Sequence, residues 1–261
     1  MPVRGKETYC IHSVENALAL LEALCEEGEE VSLSGLSDRL GMTKASLFRL
    51  LATFENHGYV EREPGSRKYR LGMAAYEIGQ KFLSHMGLLR KARPIMEQLA
   101  REFNEAVYLT VRRGNEILFL DMVDSTQQVK IVPLVGRRFP IETTAAGKIF
   151  LAFDLNGVSA KGPSQKKVLQ PVLSEEDATR IRQTGFCIDH GCIGDGTACV
   201  AAALFSGPGE VAGVLALVGP EFRMARDRID KVLLPALATA KDMVSSRLGY
   251  LGHVFGDKHL G

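Results

Sequence analysis

Thr43, Lys44, Ala45, Ser46, Arg49 and Thr53 place hydroxyls, a small side chain and two cations in one short stretch. At about 100° per residue, Leu47, Leu50, Leu51 and Phe54 form a single apolar stripe. Opposite that stripe lie Ala45, Arg49, Ala52 and Asn56, flanked by Ser46 and Thr53, with no acidic residue among them. Small residues let a helix backbone approach base edges, and an arginine there can donate two hydrogen bonds to a guanine. A solvated helix face carries the same pattern, so the flanking elements must decide. A second basic set, Arg67, Lys68 and Arg70, follows the turn sequence Pro64-Gly65-Ser66 and suits phosphate contact.

Two further sets of residues have chemical potential. Thr143-Thr144-Ala145-Ala146-Gly147 reads as a capped helix start whose small side chains leave backbone amides open, a ready place for a carboxylate. Tight helix packing calls for the same small residues, so the residues alone leave both readings open. Cys187, His190, Cys192 and Cys199 are four soft ligands suited in number to zinc, or to a thiol-responsive regulator. On an extended strand, however, Cys187 and His190 point to opposite faces. Catalytic chemistry finds no support. Gly147-Lys148 shares two residues with a phosphate-binding loop, but Glu142 stands at its first glycine position and Ile149 follows the lysine. The six histidines are scattered, so no enzyme and no cofactor is expected.

The elements that would position these residues are legible from periodicity and punctuation. Ser13 is expected to cap a helix carrying Val14, Ala17, Leu18, Leu21 and Leu24, with Gly28 as its stop. A shorter helix from Ser32 or Ser34 to Gly41 precedes the Thr43-capped helix. After Gly58 the period changes to two, and Tyr59–Glu63 and Arg67–Leu71 read as a hairpin. Three helices and a basic hairpin make a winged helix-turn-helix. Met73–Met86 and a segment from Leu88, with Pro94 as a kink or fresh first turn, read as helices. Strands are expected at 106–112, 116–121, 128–135, 197–205 and 211–218. Helices are expected at 143–153, 174–183 and about 223–247, and a loop at 155–170.

Composition fits this organisation. The 261 residues are about 1.7 times a typical domain length, and 46% hydrophobic with 24% charged residues is ordinary globular usage. The apolar runs are too short to cross a bilayer, the polar N-terminus lacks a secretory pattern, and five cysteines suggest reduced thiols. A cytoplasmic protein without a membrane partner is expected. The net charge is only +1, but residues 15–30 carry six glutamates and no cation. Residues 39–70 carry seven basic against three acidic residues. Such asymmetry can orient a small domain on a polyanion.

The chain resembles the IclR-type bacterial transcriptional regulators. The match runs through Ser13-Val14, Ala17-Leu18, Leu33, Leu36, Gly41–Leu51, Gly58-Tyr59-Val60 and Tyr69-Arg70-Leu71-Gly72. It continues through Val135–Pro140, Ala145–Lys148, Leu151-Ala152, Gly185–Asp189, Gly196 and Cys199–Ala202. Ala45 stands where the family usually has serine, and Thr43 where it often has proline. The resemblance implies an α+β two-domain chain: a winged helix-turn-helix at 9–72, a linker helix at 73–87 and a GAF-like α/β effector domain at 88–250. It implies a homodimer or dimer of dimers on a pseudo-palindromic double-stranded operator, controlled by a small carboxylate. It further implies an effector pocket at Ala145, Ala146, Asp189 and Cys199, to which Ile131 and Phe139 would add apolar wall. Asp189 would accept a hydrogen bond from a ligand hydroxyl. Ala216 and Val218 replace serines found in many members, which implies a pocket favouring an apolar or aromatic acid.

Overall fold

The computed structural model describes residues 10–27, 30–154 and 173–252, and divides into two compact units, residues 1–85 and 86–261. The first unit holds α1 (His12–Glu27), α2 (Leu33–Leu40), α3 (Lys44–Asn56), β1 (Val60–Arg62), β2 (Tyr69–Leu71) and α4 (Met73–His85). Leu20, Ala23 and Leu24 of α1, Leu36 of α2, Leu47 and Leu51 of α3, Val60 and Tyr69 close one core. Ser32 caps α2, accepting from the Gly35 amide at 3.1 Å, and Thr43 caps α3, accepting from the Ser46 amide at 3.2 Å. Ser13 is not a cap. It lies inside α1, whose first turn is closed by the Val14 and Glu15 amides donating to the Ile11 carbonyl. The expected stop at Gly28 lies outside the described residues.

The second unit is a three-layer domain. Its elements are α5 (Gly87–Phe103), β3 (Ala106–Arg113), β4 (Glu116–Val123), β5 (Arg138–Pro140), α6 (Ala145–Phe153), α7 (Glu175–Thr184), β6 (Phe186–His190), β7 (Thr197–Gly207) and β8 (Glu210–Pro220). A 3₁₀ turn (Glu221–Arg223), a short α8 (Arg226–Arg228), a π-helical turn (Ile229–Leu233) and α9 (Leu234–Leu248) complete it. The strands form one antiparallel sheet in the order β5-β4-β3-β8-β7-β6. Helices α5 and α9 cover one face through Ile95, Met96, Leu99, Leu237 and Val244, packed on Val107, Leu109, Val200, Leu215 and Leu217. Helix α6 covers the other through Ala145, Ala146, Ile149 and Phe150. With both faces covered, β7 and β8 read as unbroken apolar runs rather than alternating ones.

Three expectations are corrected. Residues 128–135 form no strand: Val129, Val132 and Val135 are exposed, Leu134 is buried in the core and Ile131 packs partly buried against it. The sheet takes Arg138–Pro140 as its edge instead, paired with Glu116–Leu118. The last helix starts at Arg226, after a 3₁₀ turn, and runs to Leu248 with one turn, Ile229–Leu233, in π geometry. Pro235 has no amide to donate to the Lys231 carbonyl, and the preceding turn widens to π geometry. Helix α5, by contrast, runs uninterrupted through Pro94. The loop expected at 155–170 lies outside the described residues.

One buried charge cluster was not visible in the sequence. Glu105, 1% exposed, accepts two hydrogen bonds from Arg223 at 2.9 Å each and one from Arg228 at 2.8 Å. Arg228 also donates to the Phe103 carbonyl and Arg223 to the Val129 carbonyl. The cluster therefore anchors the chain after β8 to the start of β3 and to the exposed 129–135 loop.

Candidate nucleic-acid interface and effector site

Helix α3 is held by Leu47 and Leu51 and turns the opposite side to solvent. Thr43, Lys44, Ala45, Ser46, Arg49 and Thr53 are all exposed. The Thr53 hydroxyl donates to the Arg49 carbonyl at 2.9 Å, and the Thr43 hydroxyl to the Ser46 hydroxyl at 3.0 Å. Within this face Arg49 and Lys44 are the cations. Phe48, 53% exposed beside Arg49, is an apolar member of the same surface that the stripe count did not single out.

The wing differs in detail from its sequence reading. Arg67 and Lys68 are exposed at the tip, and Arg67 sits in the left-handed region at φ 55°, unusual for a side chain of its size. Arg70 points along the hairpin, donating to Glu61 at 3.0 Å and lying 3.8 Å from Glu63. Two glutamates therefore share its charge, leaving Arg67 and Lys68 as the cations better placed for phosphate.

In the second unit, pairing sets two neighbouring rows of side chains on the sheet face under α6. One row is Ala106, Val218, Cys199 and Asp189, and the other is Met122, Tyr108, Ala216, Ala201 and Cys187. Ile131, Phe139, Ala145, Ala146 and Cys199 join one apolar cluster on this face, and Asp189 pairs in register with Cys199. Thr144 caps α6, accepting from the Gly147 amide at 3.0 Å. Gly147 has no substitute there, because a Cβ would lie 1.7 Å from the Ile141 carbonyl oxygen. That contact presses the start of α6 onto the chain leaving β5.

Two features of this site were missed in the sequence. Lys148, one turn into α6, donates to the Asp189 carboxylate, so Asp189 already has a cationic partner. Burial opposes the Lys148 charge, yet Asp189 outweighs it and holds the ammonium above its ordinary range. Tyr108 stands beside Ala216, so a hydroxyl occupies the row that the two replaced serines had made look wholly apolar. Cys192 joins Cys187 and Cys199. Cys192 is held below the ordinary thiol range, chiefly by the neighbouring Cys199 thiol and, against the effect of burial, by the nearby Ala145 amide. Burial pushes Cys187 up to about 12, and Cys199 is driven up by the neighbouring Cys192 and by burial. His190 is turned away, 3.2 Å from Glu221, and no group of three metal-binding side chains occurs among the described residues.

A winged helix with a cationic recognition face, in one chain with a GAF-like α/β domain, defines a DNA-binding transcriptional regulator. Residues 13–64 match the IclR helix-turn-helix domain, and residues 80–245 match the family described as bacterial transcriptional regulator IclR C-terminal. The chain belongs to the IclR family. It is similar to the HTH-type transcriptional regulator KdgR of Escherichia coli K12, 29% identical over 263 residues and covering 96% of this chain and 97% of that one. The crystal structure of Pseudomonas aeruginosa HmgR matches with a TM-score of 0.76 at 25% identity, covering 92% and 100% of the two chains. An IclR homolog from Microbacterium hydrocarbonoxydans, crystallised with 4-hydroxybenzoate, matches with a TM-score of 0.72 at 21% identity, covering 91% and 99%. No helix among the described residues is long and apolar enough to cross a membrane.

Proposed function

We propose that this regulator binds a pseudo-palindromic DNA operator as a symmetric cytoplasmic homo-oligomer and that a small carboxylate with an apolar or aromatic body shifts its operator affinity. Arg49 and Lys44 on α3 read and anchor the half-site, while Arg67 and Lys68 track the phosphates. Self-association is supported by α1 and α4, which expose Val14 and Leu18, and Met73, Tyr76, Ile78 and Phe82, respectively. Such apolar surface on a small domain favours a second copy over water.

The effector reading is carried by one observation: the small-residue start of α6 lies over the sheet row of Val218, Cys199 and Asp189, with Lys148 adding positive charge. Amides at a helix start and a nearby ammonium suit a carboxylate, and Phe119 and Phe139, 5.3 Å apart, suit an apolar body. The homolog crystallised with 4-hydroxybenzoate shares this fold and supports an acid of that kind. Calorimetric titration tests it. Benzoate-type acids should bind more tightly than glyoxylate or pyruvate, and the reverse order would overturn the reading.

A thiol-responsive role is the second reading, favoured by the partly buried Cys192 packing on the cluster that holds Cys199, whose thiol keeps Cys192 below the ordinary range.

A further inference from the structure

Tyr108 is fully buried, and its hydroxyl is one of the buried polar atoms without a hydrogen-bond partner among the described residues. An unpartnered buried hydroxyl forfeits the hydrogen bonds it made to water in the unfolded chain, so a chain seldom keeps one that serves nothing. The ring is fixed. It meets Phe119 edge-on at 5.3 Å, Phe119 meets Phe139 in the same way, and cross-strand register places Tyr108 beside Ala216. Its side chain belongs to the cluster that holds Ala145 and Ala146 at the start of α6. On the same sheet face its neighbours Ala106 and Ala216, and Ala201 beyond Ala216, are all small.

We infer that Tyr108 is a specificity residue of the effector site, donating its hydroxyl proton to a second oxygen carried on the body of the acid. The inference rests on the carboxylate reading above and deepens it: the ligand is an oxygenated acid, with a phenolic, alcoholic or carbonyl oxygen apart from its carboxylate. Burial pushes the Tyr108 pKa up to about 12, so the phenol stays protonated at physiological pH and acts as a donor. The nearby Leu134 amide acts the other way but is outweighed by burial, and no group among the described residues meets hydrogen-bond geometry with the hydroxyl. The complementary ligand atom is therefore an acceptor. A plain benzoate leaves the hydroxyl unpaired, as it is without ligand, whereas an acceptor removes that penalty on binding.

Calorimetry with benzoate and the three hydroxybenzoate isomers, on wild type and Tyr108→Phe, tests this. In the wild type one isomer should bind about tenfold or more tightly than benzoate, and in Tyr108→Phe that gain should vanish. The ligand-free melting temperature of Tyr108→Phe should equal or exceed that of the wild type, because the substitution deletes an unpaired buried polar atom. A melting temperature lowered by several degrees would show that the hydroxyl is already satisfied, overturning the inference. Equal affinities across the wild-type series, or an isomer preference that survives in Tyr108→Phe, would also overturn it while leaving the carboxylate reading intact. Failure of every acid to bind the wild type would overturn both.

Discussion

Lys148 of α6 and Asp189 of β6 form an ion pair that ties the start of the covering helix to the edge strand of the sheet. Asp189 is only 12% exposed in its side chain, and the ammonium is its ion-pair partner. Lys148→Met would leave a sheltered carboxylate unpaired and should cost about 1–2 kcal/mol in urea unfolding at neutral pH. Because folding raises the Lys148 pKa, the pair's contribution is complete below the ordinary value of 10.5 and lost as pH rises through the folded value. Wild-type stability should therefore fall more steeply in that alkaline range than that of Lys148→Met. Parallel pH profiles would show that the pair is solvated.

The DNA-binding assignment separates base contact from phosphate contact. Arg49→Ala should cost about 1–3 kcal/mol on the cognate operator and relax preference at one base position. Arg67→Gly removes a charge while placing glycine in the left-handed position that Arg67 occupies at φ 55°. It should weaken all DNA sequences alike, lower the salt slope by about one, and leave the melting temperature within a few degrees. Operator binding by both variants indistinguishable from wild type in a salt titration would remove α3 and the wing from the interface.

The exposed apolar side chains of α4 give a test of self-association. Tyr76 and Phe82 are each 61% exposed, so aspartate at either position should be tolerated by the isolated fold. Sedimentation of Tyr76→Asp/Phe82→Asp should show a shift toward monomer and a matching loss of operator affinity. An unchanged oligomer would place the contact elsewhere.

The thiols differ enough to be told apart by their pH dependence. Cys192 lies below the ordinary value of 9.0, whereas Cys10 lies above it, raised by a hydrogen bond and the charge of Glu15. Mass-spectrometric alkylation with iodoacetamide should reach half its plateau rate at lower pH for Cys192 than for Cys10. Cys187 and Cys199, raised and buried, should react last. A Cys192 midpoint above that of Cys10 would contradict the stabilisation of its thiolate by the Cys199 thiol and the Ala145 amide.

What could be read from the sequence was local. The cap at Thr43, the stripe of Leu47 and Leu51 and the turn before Arg67 each act within a few residues, and these elements formed as expected. Residues 128–135 misled because a valine-rich run also suits an exposed loop, and the competition with Arg138–Pro140 for the edge of β4 is settled by distant pairing. Tyr108 was hidden for the same reason: its neighbour Ala216 is remote in the chain, and only register brings them together. The partnership of Lys148 with Asp189 likewise depends on α6 lying over β6, which no local pattern encodes.

The central claim, that a carboxylate bound beside α6 controls operator affinity, is tested most directly by fluorescence anisotropy. Wild-type protein is titrated onto a labelled operator selected by it from a random DNA pool, at fixed salt, with and without saturating 4-hydroxybenzoate, glyoxylate or pyruvate. The same titrations are made with Ala146→Leu, whose larger side chain fills the start of the helix where Ala146 is 3% exposed. The account predicts that 4-hydroxybenzoate shifts wild-type affinity at least fivefold, that the keto acids shift it less, and that the response is lost in Ala146→Leu. A wild-type curve unmoved by 4-hydroxybenzoate, or a full response in Ala146→Leu, would contradict it.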